Sequence, residues 1–289
     1  MSTATSTRDA YRLRAHEIWG GNEAGEERVT VFGFEGWVSA VPHEGDKGGD
    51  LRFVSTCAGG QIVRFTLADI AGHGEAASDW AIRLRGLIRK HINTPNPAKF
   101  ARALNWEFSR VAEAGGFATA IIVTYFAPTD HLVVCNAGHP RPLLRRAASG
   151  SWELFDEGSA GLLPVDRAKE TGVSNLPLGI VAPTTYPMFA TRLDPGDIVV
   201  AYTDALIEAA DAEGRALGER GLLEIASSQG PGDPEVIGRA ILGEVRARRG
   251  GEALDDDATL LVLRHTATDP PSGAFAKIQA LGRLVGLFQ

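Results

Sequence analysis

Aspartates stand beside hydrophobic runs at four separate places in the sequence. They are Asp50 before LRFVSTC, Asp69 at the end of IVRFTLAD, Asp204 at the end of DIVVAYTD, and Asp255, Asp256 and Asp257 before ATLLVLRH. A carboxylate that abuts a buried strand costs free energy unless something compensates its charge. One such aspartate is typical of a turn. Four that converge at one end of the sheets predict a site for hard divalent cations. Carboxylate and carbonyl oxygens suit Mg²⁺ or Mn²⁺ rather than Zn²⁺.

A cluster of acids around two such cations is a recurrent device for phosphoryl hydrolysis. The two ions lower the pKa of a bridging water molecule and hold the phosphate oxygens, so that the protein needs no nucleophilic side chain. The positions of the aspartates therefore favour a metal-dependent phosphoryl hydrolase.

Residues 72–77, GHGEAA, match the GxGxxA fingerprint of dinucleotide-binding sites. That fingerprint also needs an acid about 20 residues further on for the ribose. The sequence has no acid between Asp79 and Glu107, which argues against a dinucleotide site. His73 in this turn is a candidate for proton transfer or phosphate binding, although a role only in shaping the turn is equally compatible with its glycine neighbours.

Residues 135–141, CNAGHPR, have the CxxGxxR spacing of cysteine-dependent phosphatases. In such a site backbone N–H groups hold the phosphate, and the loop leads into a helix. Pro140 lacks one of these N–H groups, and Pro142 disfavours a helix after Arg141. The spacing is therefore better explained by chance.

The elements that must position the aspartates are mostly strands. Apolar runs predict strands at 28–41, 51–57, 61–69, 117–127, 131–138, 142–147, 151–155, 186–193, 197–204 and 258–265. Helical spacing of apolar residues predicts helices at 72–92, 98–114 and 234–248. Because strands and helices do not alternate as βαβ units, the pattern predicts an α+β fold with mainly antiparallel sheets.

Composition limits the partners and the location of the protein. The chain has 289 residues, and its 29 basic and 36 acidic side chains give a net charge of −7. This excess of acid argues against binding to nucleic acid or to an anionic membrane surface. Two cysteines cannot form a disulfide framework, and no apolar run has the length of a signal peptide or a membrane span. We therefore expect a cytoplasmic protein.

The sequence predicts a single domain at residues 29–268 between two short flanking segments. Residues 1–28 are polar, include a short helical stretch around Asp9–Ile18, and are predicted to be an N-terminal lead-in. Residues 269–289 are predicted to form an amphipathic helix after Pro270 and Pro271. This helix either packs on its own domain or binds a partner, which includes a second copy in a homodimer.

The order of several short motifs between about residues 45 and 265 points to one family. They are GGD (48–50), ADIAGHG (68–74), FATA (117–120), NAGHP (136–140), LPLGI (176–180), LDPGD (193–197), YTD (202–204) with EA (208–209), and DDAT (256–259). This ordered set resembles the PPM-type metal-dependent serine/threonine protein phosphatases of the SpoIIE/RsbU-like branch.

The resemblance implies a four-layer α-β-β-α sandwich of two mainly antiparallel sheets, with two Mn²⁺ or Mg²⁺ ions at one end. It implies that Asp69 bridges the ions, that the Ile70 carbonyl helps to hold one of them, and that Asp204 and Asp256 bind the other. It also implies that Asp50 binds an ion or its water molecule. Asp257 is expected to support the ligands without touching an ion, or to bind an ion itself.

The resemblance also implies the reaction and the substrate. Asp50, Asp69, Asp204 and Asp256 act through the bound ions, and His73 is a further candidate. The expected activity is hydrolysis of phosphoserine or phosphothreonine on a protein by metal-activated water. The expected substrate is a phosphorylated signalling regulator, such as an antagonist of an anti-sigma factor.

Two positions depart from the family pattern. Many members have a second acid where this chain has Phe53, and a glycine where it has Ala205. Neither change removes a principal ligand, so we predict an active enzyme. Weaker binding of the ion nearest Asp50, or an altered substrate entrance, is compatible with these changes. The alternative is a regulatory module that binds a phosphoprotein without turning it over.

Overall fold

A computed structural model describes residues 15–57, 60–111, 116–159, 163–166 and 173–266. The predicted C-terminal helix at 269–289 lies outside the described residues, as does most of the helical stretch predicted at 9–18. No helix in the described ranges is long and apolar enough to cross a membrane.

Thirteen strands form two sheets in the described part of the chain. In chain order they are β1 (His16–Glu23), β2 (Gly25–Val31), β3 (Phe34–Val41), β4 (Lys47–Cys57), β5 (Ile62–Ile70), β6 (Ala118–Phe126), β7 (His131–Ala137), β8 (Leu143–Arg145), β9 (Trp152–Leu154), β10 (Leu163–Asp166), β11 (Met188–Arg192), β12 (Ile198–Tyr202) and β13 (Ala258–His265). One sheet has the order β1-β4-β5-β6-β7-β11-β10, and the other has the order β2-β3-β13-β12-β8-β9. Neighbouring strands in both sheets are antiparallel.

Helices cover the outer faces of the two sheets. They are α1 (Gly74–His91), α2 (Pro97–Val111), the single-turn α3 (Ala205–Glu208), α4 (Gly218–Ser227) and α5 (Pro234–Arg248). Helices α1 and α2 pack on the seven-stranded sheet, and α4 and α5 pack on the six-stranded sheet. The result is the four-layer α-β-β-α sandwich that the resemblance implies.

Alternation along the strands creates separate apolar layers on the two faces of each sheet. In β5, Phe65 and Leu67 face the layer between the two sheets, whereas Ala68 and Ile70 face α1 and α2. A third layer lies between the six-stranded sheet and α4 and α5, with Trp37 and Ile241 among its buried residues. This alternation decides which side chains at the strand ends point between the sheets.

The structure corrects the N-terminal part of the prediction. Residues 16–18, predicted to be helical, lie in β1, and the single run predicted at 28–41 is a hairpin of β2 and β3 that turns at Phe32 and Gly33. Long-range contacts determine β1, because Arg85 of α1 donates to Glu17 and to the Gly20 carbonyl. Strand β1 and the first residues of β2 lie in the segment predicted as a lead-in, where they extend the two sheets.

Two glycines of α5 offer a matched test of the packing on the six-stranded sheet. A Cβ at Gly238 would lie 2.3 Å from the ring of Trp37, whereas one at Gly243 would have no heavy atom within 4 Å. We expect Gly238→Ala to lower the free energy of unfolding by about 2–3 kcal/mol through overpacking. Gly243→Ala should raise it by about 0.5–1 kcal/mol, since alanine favours helix. Urea unfolding of both variants checks this, and equal effects would contradict the observed packing.

Candidate functional site

The predicted aspartates come together where strands of both sheets end. In the seven-stranded sheet the β4–β5 ladder ends at the pair Leu51–Ala68, so Asp50 and Asp69 lie just beyond it. In the six-stranded sheet, the β12–β13 ladder ends at the pair Tyr202–Leu260. Asp204 follows the end of β12 by two residues and lies at the start of α3. Asp256 precedes the first residue of β13 by two residues. Thr203 connects the two sheets, because its hydroxyl donates to Asp50 Oδ2 over 2.9 Å.

Asp50 is buried and only half satisfied. Its side chain is 5% exposed, and Oδ1 has no hydrogen-bond partner in the described structure. Burial, followed by the charge of Asp69, raises the pKa of Asp50 well above its usual value. A buried carboxylate oxygen without a partner costs free energy, and a bound cation would remove that cost.

Asp69 lies at the electrostatic centre of the group. Burial, followed by the charges of Asp204 and Asp256, raises its pKa to about 8. Since Leu67 points between the sheets, Asp69, two residues further on, points the same way. The local field therefore opposes a negative charge at this position unless positive charge is supplied.

Asp204 and an additional acid, Glu208, lie on or beside the short helix α3. Burial and then Asp256 raise the pKa of Asp204, and desolvation followed by Asp204 and Asp256 raises that of Glu208. Glu208 is part of a motif quoted from the sequence but was not predicted as a site residue. It could have been recognised from its position four residues after Asp204, because residues with this spacing lie on the same face of a helix.

Asp257 differs from the other acids because backbone N–H groups occupy both of its oxygens. The N–H of His43 donates to Oδ1 over 2.7 Å, and that of Gly49 donates to Oδ2 over 2.5 Å. A Cβ at Gly48 would lie 2.6 Å from this carboxylate, and one at Gly49 would lie 3.2 Å from the Ile70 carbonyl oxygen. The two glycines therefore allow the chain to pass between Asp257 and Ile70.

The remaining predicted positions are less central. His73 is exposed at the N-terminus of α1, where its ring stands edge-on to that of His43 at a centroid distance of 5.8 Å. Phe53 is buried under α1 and α2, on the face of β4 opposite Asp50. Ala205 is buried beneath α4 and α5. A second acid at position 53 would point away from the other acids in this structure.

A buried histidine beside Asp69 was not predicted as a functional residue. His139 lies in the NAGHP motif, and its Nδ1 is 2.7 Å from the hydroxyl of Thr119, which pairs with Asp69 across β5 and β6. Burial lowers the pKa of His139 to about 3, so the ring is neutral at pH 7. Its Nε2 has no hydrogen-bond partner in the described structure.

The acids perturb one another without forming a closed ion cage. Within the described ranges, no group of three or more His, Cys, Asp or Glu side chains has the geometry to hold a metal ion. The pKa values of Asp50, Asp69 and Asp204 are nevertheless raised, because each carboxyl is desolvated and lies close to other carboxylates.

Comparison with known families identifies the chain. The profile described as stage II sporulation protein E (SpoIIE) matches residues 59–266, well over half of the sequence. The chain belongs to the SpoIIE family. The resemblance to PPM-type phosphatases of the SpoIIE/RsbU-like branch is confirmed. The match contains Asp69, Asp204 and Asp256 but begins after Asp50, so part of the site lies outside the matched region of this SpoIIE-family protein.

Solved structures show the same fold. The RsbU and RsbW domains of a Mycobacterium tuberculosis protein are 24% identical to this SpoIIE-family chain with a TM-score of 0.64, over 85% of this chain and 64% of that one. The PP2C phosphatase domain of SpoIIE from Bacillus subtilis, with a fragment of its regulatory domain, is 15% identical with a TM-score of 0.65, over 85% and 66%. RsbX in complex with magnesium is 16% identical with a TM-score of 0.56, over 84% and 100%.

Proposed function

We propose that this SpoIIE-family protein is a Mg²⁺- or Mn²⁺-dependent phosphatase that removes phosphate from phosphoserine or phosphothreonine of a protein. The observation that carries the proposal is the group of acids at one end of the two sheets, where Asp50 and Asp69 have raised pKa values. Strongly perturbed carboxyl groups that lie together in this way are typical of a functional site. Magnesium in the related RsbX structure supports the choice of cation.

The residues present suit hard divalent cations. The donors are carboxylates and one backbone carbonyl, the unpaired Oδ1 of Asp50 is available, and Gly49 leaves room beside the Ile70 carbonyl. The ligands in this proposal are Asp69, Asp204, Asp256, Asp50 and the carbonyl of Ile70.

Divalent cations at such a site supply an activated water molecule and neutralise the charge of the phosphate oxygens. The protein itself contributes orientation. Thr203 donates to one oxygen of Asp50, and Asp257 accepts from the Gly49 N–H and so holds the backbone next to Asp50. The neutral His139 holds the hydroxyl of Thr119 beside Asp69 without adding charge.

The proposed substrate is a small phosphorylated protein regulator. The matched M. tuberculosis structure contains an RsbU and an RsbW domain, and the B. subtilis relative is described as a cell fate determinant, so regulatory proteins are the class to test. The alternative function is a module that binds a phosphoprotein without hydrolysis. The departure at Phe53 does not favour this alternative, because that side chain faces away from the acids.

Hydrolysis of p-nitrophenyl phosphate and of a phosphoserine peptide by the full-length protein tests the proposal. We expect turnover with Mn²⁺ to exceed turnover in EDTA by at least about a hundredfold, since bound cations contribute several kcal/mol to catalysis. A phosphotyrosine peptide of the same sequence is the specificity control. Binding of the phosphoserine peptide with no turnover in any cation would establish the alternative function.

A further inference from the structure

The segment that carries Asp50 is not paired in register with either neighbouring strand of the described sheet. We call residues 48–50 the Gly48–Asp50 segment. On one side, the ladder with β1 jumps from the pair Gly21–Arg52 to the pair Glu23–Lys47, which is an irregularity of the bulge type. On the other side, the ladder with β5 begins only at Leu51. In the described sheet, no residue of this segment therefore has a register partner on either neighbouring strand.

Side chains hold the Gly48–Asp50 segment instead of strand neighbours. Asp257 accepts from the N–H of Gly49, and Thr203 donates to Asp50, both from the six-stranded sheet. The third contact comes from β1, where the amide of Asn22 donates to the Gly48 carbonyl over 2.9 Å. It lies inside the gap left by the bulge, so the side chain of Asn22 replaces the missing backbone pairing.

Asn22 is itself anchored to a third element. Its side-chain nitrogen also donates to the hydroxyl of Ser78 in α1 over 2.9 Å, and the residue is 4% exposed. Helix α1 is tied to the same strand, because Arg85 donates to Glu17 and to the Gly20 carbonyl. Asn22 thus links both β1 and α1 to the Gly48–Asp50 segment.

We propose that Asn22 is a positioning residue for the cation site, which it serves by fixing the Gly48–Asp50 segment and thereby the position of the Asp50 carboxylate. The inference rests on the proposed function. It concerns a residue outside the matched family region 59–266, whereas Thr203 and Asp257 lie inside that region. Residues that orient metal ligands without touching the ion commonly change metal affinity 10- to 100-fold when mutated.

The test is the dissociation constant for Mn²⁺ of the full chain, measured by isothermal titration calorimetry. We expect Asn22→Ala to raise this constant about tenfold or more. The matched control is Asn105→Ala in α2. Asn105 is also a buried amide with two backbone bonds, to the Gly179 N–H and the Val181 carbonyl, but it does not contact the acids. It should lower the Tm and leave the Mn²⁺ constant unchanged.

Ser78→Ala is the second variant and keeps the test decisive if Asn22→Ala does not fold. It removes one acceptor of the same amide with little change in volume. The dissociation constant for Mn²⁺ should rise about threefold, because this ratio corresponds to the lower part of the range of free energies that one hydrogen bond contributes. Unchanged constants in the folded variants beside a wild-type chain that binds Mn²⁺ would overturn the inference alone. Absence of Mn²⁺ binding in the wild type would overturn the proposed function together with it.

Discussion

Replacing Asp69 by asparagine is expected to lower the Mn²⁺-dependent turnover of p-nitrophenyl phosphate by at least about a thousandfold, which corresponds to about 4 kcal/mol of transition-state stabilisation. The neutral amide is a poor ligand for a hard cation, and Asp69 is the acid on which the charges of Asp204 and Asp256 converge. Steady-state kinetics of both proteins at the Mn²⁺ concentration that saturates the wild type measures the effect.

The same substitution should stabilise the protein in EDTA. The pKa of Asp69 is about 8 in the folded chain against a usual value of 3.8. A carboxyl with a raised folded-state pKa binds its proton more tightly when folded, so its contribution to stability is lost as the pH rises from about 4 to about 8. The asparagine side chain has no such proton to lose. At about pH 8 we therefore expect Asp69→Asn to have a higher Tm than the wild type, while it has lost activity.

Asp197→Asn is the matched control for this pair of effects. Asp197 is also buried, but its oxygens accept from Arg146, from the Ala147 N–H and from the Asp194 N–H, at the opposite end of β12 from the acids. Removing its charge breaks a satisfied ion pair, so the Tm should fall while the turnover per folded molecule is retained. If Asp69→Asn instead lowers the Tm in EDTA, the acids do not repel one another as described.

The placement of the aspartates was predictable because each borders an apolar run in the sequence. An apolar run fixes the strand, the strand fixes the face of each side chain, and antiparallel neighbours bring the ends together. Helix α5 was predicted with its observed ends, since Asp233 caps it and Pro234 begins it. Local chemistry determines these features, so the sequence displays them.

Features that depend on distant contacts could not be predicted in this way. The sequence of β1, HEIWGGNE, has no clean alternation, and the strand is held by α1 and by the stacking of Trp19 on Arg52. Helix α4 was missed because it is short and contains two glycines; Leu222 and Ala226 hold it by packing on the sheet. Asn22 belongs to no motif and gains its role from a bulge that only the folded register reveals.

Stabilisation by Mn²⁺ is expected to be large and to increase with pH. At a hundredfold excess over its dissociation constant, a ligand that binds only the folded state adds about 2.7 kcal/mol, which raises the Tm of a chain of this size by about 5–10 °C. Metal ligands must lose their protons to bind. Since the pKa of Asp69 is about 8 and that of Asp50 is also raised, protons compete with the ion at low pH.

We therefore expect the difference in Tm between Mn²⁺ and EDTA to be small at about pH 6 and to reach its full size near pH 8.5, above the raised pKa. Differential scanning fluorimetry across this range measures it, with Asp69→Asn showing no shift and Asp197→Asn showing the wild-type shift. A shift that is constant with pH would mean that Mn²⁺ binds to groups other than these acids. The EDTA curve should fall over the same range, because the repulsion that the ion relieves is the repulsion that destabilises the metal-free protein.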